Sequence, residues 1–288
     1  MAITLDASEI KRIDCALQAW RQGDAVIDGD IFMVHLADQR HPLTEATRAA
    51  AADFSDEYTT IHVPTSVRGL VVLSQTCDIV RTCVQSHFVE LCELVRIKDE
   101  KQLQEIQKGR RSRYAYLPEL ADKHLVADLD RTVTAEKAVL AGWSRVEGCA
   151  TDEERVAFAA ALARKRHRFA FPNGFNTGLR KFRDNIKDKH GRDSSEGRLV
   201  DAIKEIRVQP DPGWGADVVK VFFWFLLYPD TVTDFATAFA NAEKWMNRIK
   251  FESAFSLQDP AFSVVEPKDM TVEDYLTSFP LDYDDVSP

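Results

Sequence analysis

The chain has 288 residues, of which 45% are hydrophobic and 29% are charged, and its formal net charge is −9. These values are those of a globular protein with one large or two modest domains, and the acidic excess argues against a surface that coats nucleic acid throughout. No run of about 18 uncharged apolar residues occurs, and the first residues lack the pattern of a signal peptide. We therefore expect a cytoplasmic protein that has no membrane partner, with its five cysteines kept as thiols.

Residues 1–22 are predicted to form an N-terminal helix. Apolar side chains recur there at helical spacing behind a Ser8 cap. From residue 23 to residue 142 the pattern changes to short strands, most clearly in the alternating segment 31–36, the continuous apolar run 70–73 and the segment 87–97. The polar segment 39–66 favours a loop with a helical turn. A small β-barrel would bury such strands and remove their free edges.

Residues 143–251 are predicted to form an α+β domain. Thr151 and Glu154 have the spacing of a capping box before a helix from Asp152 to Arg166. Further helices are predicted near residues 179–190, ended by Gly191, near 196–206 and near 234–249, with strands near 205–210 and 216–229. We expect Trp214 and Trp224 to be core aromatics.

The last segment, residues 252–288, contains nine acidic residues and only one lysine. Such a composition favours a loosely ordered acidic tail. The predicted fold class is therefore α+β: a small barrel at 23–142, a mixed helix and strand domain at 143–251, and the tail.

The segment Ser74, Gln75, Cys77 and Asp78 follows a buried strand, where a barrel presents functional side chains at its rim. A nucleophilic Cys77 would need a neighbouring base, and the carboxylate of Asp78 would raise the pKa of its thiol. We therefore favour a buried cysteine at the end of the strand. The rim could alternatively bind a partner protein.

Metal and cofactor sites are not predicted. Cys77, Cys83, His87 and Cys92 lack the close ligand pairs of structural zinc sites. The common phosphate-binding and hydrolase motifs are absent, so no cofactor is expected. Asp128 and Asp130 alternate on a predicted strand and could form a carboxylate pair, although such pairs usually face solvent.

The strongest charge feature is the basic stretch 163–192, in which ten Lys or Arg residues stand against two aspartates. With the interleaved Phe169, Phe171 and Phe175 it favours a surface that holds phosphates and stacks bases. The opposing interpretation places the phenylalanines in the core and the charges on a solvated helix. The candidate nucleic-acid-binding residues are Arg164, Lys165, Arg166, Arg168, Arg180, Lys181 and Arg183.

Gly29-Asp30 before one strand, and Arg68-Gly69 before a strand ending in Leu73-Ser74, resemble the skeleton of the MazF/PemK family of toxin endoribonucleases. The resemblance covers about the first third of the chain and implies an SH3-like barrel. It also implies that Arg68 clamps the scissile phosphate, a role that suits a guanidinium group. His62 and Glu45 are then the candidate acid and base.

The sequence thus predicts a protein that binds or cleaves RNA, related to toxins or defence proteins. Cleavage would be a metal-independent transesterification that uses the RNA 2′-hydroxyl. The alternative is a non-catalytic module that binds a partner protein at the barrel rim.

Overall fold

The computed structural model describes residues 6–27, 29, 31–51, 59–231, 234–252 and 254–281. The chain divides into two compact units, Met1–Arg166 and His167–Pro288. The boundary therefore lies after residue 166, whereas the sequence pattern placed it after residue 142. The difference arises because the predicted helix at Asp152–Arg166 packs its Phe158 against the strands of the first unit.

The first unit contains six helices, one 3-10 helix and seven strands among its described residues. In chain order they are α1 (Ala7–Leu17), β1 (Ala25–Ile27), β2 (Phe32–Asp38), α2 (Glu45–Ala51), β3 (Thr60–Ser66), β4 (Gly69–Val72), α3 (Thr76–Ile79), β5 (Phe88–Arg96), α4 (Glu100–Gln107), β6 (Tyr114–Ala115), the 3-10 helix Pro118–Lys123, β7 (Leu125–Glu136), α5 (Lys137–Ala141) and α6 (Asp152–Arg166).

The strands of the first unit form two separate sheets. Five of them form an antiparallel sheet in the order β1-β4-β5-β7-β6, and β2 pairs only with β3 in a two-stranded ribbon. Within the described ranges neither sheet closes on itself, so the predicted barrel is not found. The fold of the unit is α+β, with an open sheet and helices.

Strand β4 is buried on both faces, as its continuous apolar run predicts. Leu70 and Val72 pack in the same cluster as Ile13 and Leu17 of α1. Val71, on the opposite face, packs in the cluster that contains Phe158 of α6. The five-stranded sheet is therefore covered by helices on both sides.

The second unit contains five helices of six to twelve residues, one 3-10 helix and one four-stranded sheet in its described part. In chain order its elements are α7 (Asn173–Gly178), α8 (Arg180–Lys189), α9 (Ser195–Ala202), β8 (Ile203–Asp211), β9 (Val219–Leu227), α10 (Phe235–Met246), β10 (Phe255–Val265), the 3-10 helix Pro267–Asp269, α11 (Val272–Thr277) and β11 (Phe279–Leu281).

The sheet of the second unit has the order β10-β9-β8-β11, in which β10 and β9 run parallel and the other pairs are antiparallel. One face packs against the helices through Phe182, Phe223 and Trp245, all fully buried. Trp214 packs against this core as predicted. Trp224 does not, because it alternates onto the opposite face of β9, where it is half-buried.

The acidic tail is ordered from residue 254 to residue 281, contrary to the prediction. The segment is ordered because its apolar residues Phe262 and Leu281 pack in the core of the second unit. Arg207, which is 5% exposed, donates to Ser278 Oγ and to the carbonyl oxygens of Tyr275 and Ser278. The acidic residues at 282, 284 and 285 lie outside the described residues.

Several local predictions are confirmed and others are wrong. Helix α6 has its predicted bounds and its capping box, and Gly191 has the left-handed φ of +67° expected after α8. Helix α1 is capped by Asp6 rather than Ser8. Within the predicted loop 39–66, α2 provides the expected helical turn and β3 is an unpredicted strand, while residues 52–58 lie outside the described residues. No described helix is long and apolar enough to cross a membrane.

Candidate functional site: a cationic cavity in the second unit

The three candidate catalytic residues do not converge. Arg68 is exposed in the turn between β3 and β4, and Glu45 is exposed at the start of α2. His62 is exposed on β3, four residues before the strand ends, which is roughly 13 Å along an extended strand. Within the described part of the chain, no hydrogen bond or ion pair joins any two of these side chains. Asp30, which contributes to the family resemblance, lies outside the described residues.

The predicted rim is a helical turn rather than the end of a strand. Strand β4 ends at Val72, and Cys77 lies exposed within α3. Gln75 precedes α3 as its N-cap and its Oε1 lies 3.6 Å from Cys77 Sγ. Ser74 Oγ accepts a hydrogen bond from the backbone of Glu90, and Asp78 pairs with Arg81 at 3.4 Å. Our expectation of a buried cysteine at this position is therefore wrong.

A buried lysine donates hydrogen bonds to the backbone of the α3 turn. Lys137 is fully buried, and its Nζ donates at 2.6 Å to each of the carbonyl oxygens of Asp78 and Arg81. Burial lowers the pKa of Lys137, while the nearby carboxylate of Asp14 opposes the shift. No sequence pattern predicts this contact, since most lysines are exposed.

The three buried thiols are poor nucleophiles. Burial raises the pKa of Cys83 and Cys92, and it raises the pKa of Cys149 to about 12. Among the described residues no group of three or more His, Cys, Asp or Glu side chains has a geometry that could hold a metal ion.

The two aspartates of the predicted carboxylate pair on β7 lie in different environments. Asp128 is 1% exposed and receives two hydrogen bonds from Arg113, at 3.0 and 2.6 Å, whereas Asp130 is exposed to solvent and pairs with Lys165. Asp128 instead faces Glu93 across the β5–β7 ladder. Burial raises the pKa of Glu93, against the effect of its partner Arg131. Arg113 also lies 3.5 Å from Asp130 and is shared by the two aspartates. Because every carboxylate here is paired with a cation, we interpret this cluster as structural.

The basic stretch falls into two parts that belong to different units. Arg164, Lys165 and Arg166 end α6 in the first unit. Lys165 pairs with Asp130, Arg166 pairs with Glu90, and the guanidinium of Arg164 packs against Gly109. Intramolecular carboxylates thus already neutralise two of these three predicted RNA-binding cations.

The phenylalanines of the stretch are packed inside the second unit. Phe175 is fully buried, Phe171 packs against the same core, and the ring of Phe169 stacks on Trp214 with 5.5 Å between centroids. The prediction that they stack on bases is therefore wrong. Among the cations, Arg183 donates to Asn176 at 3.0 Å, whereas Arg168, Arg180 and Lys181 are exposed.

One cavity in the second unit does gather unneutralised cations. It has a volume of about 360 Å³ and lies between α8 and the turn that follows α10. Its lining consists of three cations, two carboxylates and two amides: Lys181, Arg248, Lys250, Asp184, Asp188, Asn185 and Asn247. Of these, only Lys181 had been predicted as a binding residue.

Local structure explains why these residues meet. Lys181, Asp184 and Asp188 lie on one face of α8 because they are separated by three and four residues. The turn after α10 is held close to α7, where Lys250 N donates to the carbonyl of Gly178. A Cβ at Gly178 would lie 2.3 Å from Phe251, so only glycine permits this approach.

The charges and donors of the cavity are incompletely satisfied. None of the three cations forms an ion pair with another described residue. Asn185 is 6% exposed, and its Nδ2 is buried without a hydrogen-bond acceptor in the described structure. Buried amides normally have such partners. The cavity therefore presents three cations that have no ion-pair partner among the described residues, and such cations bind phosphate.

A second exposed surface lies on the β2–β3 ribbon of the first unit. Phe32, Val34 and Leu36 alternate on the outer face of β2 with exposures of 60%, 41% and 67%. The sequence predicted their common face but not which face would be buried. We refer to these three side chains as the apolar ribbon face.

Comparisons of the chain with protein-family models, with curated proteins and with solved structures found no match.

Proposed function

We propose that the protein binds single-stranded RNA through the cationic cavity of its second unit. The observation that carries the proposal is the convergence of Lys181, Arg248 and Lys250, none of them ion-paired to a described residue, beside the unsatisfied amide of Asn185.

The size and shape of the site favour a single strand. A cavity of about 360 Å³ accommodates one nucleotide but not a duplex. Proteins that bind single-stranded RNA commonly take splayed nucleotides into such sites, and contacts between cations and phosphates supply affinity through counterion release.

The test is fluorescence anisotropy with a labelled single-stranded RNA of mixed sequence. We expect the variant Lys181→Gln/Arg248→Gln/Lys250→Gln to bind at least tenfold more weakly than wild type, because three phosphate contacts are lost. A variant with the same charge change at exposed lysines outside the cavity, Lys101→Gln/Lys204→Gln/Lys220→Gln, should bind as wild type does. Equal weakening in both variants would show that RNA affinity depends only on net charge, and it would contradict binding at a specific site.

RNA cleavage and a relationship to the MazF/PemK family are a second part of this proposal, supported by the residue pattern around Arg68 alone. The measurement is incubation of a mixed RNA pool, without added metal, with wild type and with Arg68→Ala. Cleavage that is lost in the variant would support a catalytic first unit. If the wild-type protein leaves the RNA pool uncleaved, the proposed function is limited to binding.

The apolar ribbon face supports the alternative function, a non-catalytic protein-interaction module. Covering exposed apolar side chains is favourable, and contiguous ones mark interaction sites. The partner surface would then be this face rather than the predicted rim at Ser74–Asp78. If a second copy covers it, sedimentation should show a wild-type dimer that Phe32→Ser/Leu36→Ser converts to a monomer.

A further inference from the structure

The cavity has a lining of mixed charge that an internal RNA backbone does not require. Grooves that follow a backbone carry cations along their length. Here three cations face two carboxylates, so the lining has a formal charge of only +1. The carboxylates of Asp184 and Asp188 would repel further phosphates that ran past them.

The chemistry of each group restricts what can fill the site. Ionised carboxylates only accept hydrogen bonds, and lysine and arginine only donate them. A ligand that satisfies all five charged side chains must therefore carry anionic acceptors and hydroxyl or amino donors within about 360 Å³. A ribonucleotide has both, since its phosphate accepts and its ribose hydroxyls donate. Carboxylates in other nucleotide sites accept from ribose hydroxyls in the same way.

The number of cations favours a phosphate at a strand end. A phosphate monoester carries a charge of about −1.5 to −2 near neutral pH and has three terminal oxygens, whereas an internal diester carries −1. Three cations that have no ion pair among the described residues can supply a donor to each of the three terminal oxygens of a monoester, whereas an internal diester offers only two such oxygens.

Building on the proposed function, we infer that the cavity binds the phosphorylated terminal nucleotide of an RNA strand. Lys181, Arg248 and Lys250 hold the phosphate monoester. Asp184 and Asp188 accept hydrogen bonds from the ribose hydroxyls, which gives the site a preference for RNA over DNA.

The experiment compares ten-nucleotide strands of one sequence by anisotropy. Strands labelled at the 3′ end carry either a 5′-phosphate or a 5′-hydroxyl, strands labelled at the 5′ end carry either a 3′-phosphate or a 3′-hydroxyl, and each phosphorylated strand is also made as DNA. We expect one phosphorylated RNA end to bind about tenfold or more tightly than its hydroxyl form, and the pair that shows this identifies the end.

Two variants test the roles of the charged groups separately. In Lys181→Gln/Arg248→Gln/Lys250→Gln the preference for the phosphorylated end should disappear. In Asp184→Asn/Asp188→Asn the ratio of RNA to DNA affinity should fall towards one without a loss of total affinity, because two repelling charges are removed. A purely electrostatic role of the aspartates would leave that ratio unchanged and would overturn their assignment.

The outcomes distinguish this inference from the function on which it rests. Equal affinity for phosphorylated and hydroxyl ends, with RNA still bound through the cavity cations, would overturn the inference and leave the proposed function in place. Absence of RNA binding by wild type would overturn both.

Discussion

Replacing Lys137 should destabilise the first unit and loosen the α3 turn. The substitution Lys137→Met keeps most of the apolar stem but removes the ammonium that donates at 2.6 Å to the carbonyls of Asp78 and Arg81. A hydrogen bond to a charged group contributes roughly 1.5–3 kcal/mol, so the loss of these two bonds amounts to about 3–6 kcal/mol. The methionine variant no longer buries a charge, and this gain offsets part of the lost hydrogen-bond energy. We expect the free energy of unfolding to decrease by roughly 2–4 kcal/mol.

The assay combines urea denaturation with hydrogen exchange. For a unit of this size the slope in urea is about 2–3 kcal/mol/M, so the midpoint for the first unit should fall by roughly 1 M. The amides of residues 76–83 should lose more protection than those of β5. The exposed lysine variant Lys101→Met serves as the control. A midpoint at or above that of wild type, with unchanged protection of the α3 turn, would refute the reasoning.

Three further predictions concern stability and reactivity. Burial raises the pKa of Asp24, so the folded state favours its protonated form. The contribution of this group to the free energy of unfolding is therefore fully present below its pKa in the unfolded chain, and it is lost as pH rises through its pKa in the folded protein. The unfolding free energy of Asp24→Asn should therefore decline less from pH 4 to pH 7 than that of wild type, and parallel profiles would contradict this assignment. Arg207→Lys should lower the unfolding free energy of the second unit by about 2 kcal/mol or more in thermal or urea unfolding, because lysine cannot donate to Ser278 and two backbone carbonyls in the same planar geometry; a change below about 0.5 kcal/mol would show that these bonds contribute little. Alkylation of native protein near neutral pH, followed by mass spectrometry, should modify the exposed Cys15 and Cys77 well before the other thiols, and slow reaction at Cys77 would contradict its exposure on α3.

Local patterns in the sequence predicted the parts of the fold that depend on neighbouring residues. The capping box of Thr151 and Glu154 fixed the start of α6, and Gly191 marked the end of α8. Strand β3 was missed because Pro64 and the polar residues beside it conceal the alternation of Ile61 and Val63. In the tail, acidic composition concealed Phe262 and Leu281, which pack in the core and hold the segment in the sheet.

The candidate site depended on contacts that are distant in sequence. Lys181 stood out within a basic stretch, but Arg248 and Lys250 lie more than 60 residues further along the chain and reach it only through the packing of the turn after α10. The buried amide of Asn185 had no sequence signal, because an asparagine in a charged helix usually faces solvent. The pattern of basic residues in the sequence also does not reveal that Lys165 and Arg166 pair with carboxylates of the first unit.

The most direct test of RNA binding by the cavity is the salt dependence of affinity. For a single strand the slope of log K against log salt concentration is about −0.7 per neutralised phosphate, so the one phosphate held by the three cavity cations should contribute about −0.7. The measurement is the slope between 50 and 200 mM salt, roughly the range over which this effect is large, for wild type and for Lys181→Gln/Arg248→Gln/Lys250→Gln. We predict that the variant slope is less steep by about 0.7 while the Lys101→Gln/Lys204→Gln/Lys220→Gln control keeps the wild-type slope. The same slope in all three proteins would contradict RNA binding through this cavity.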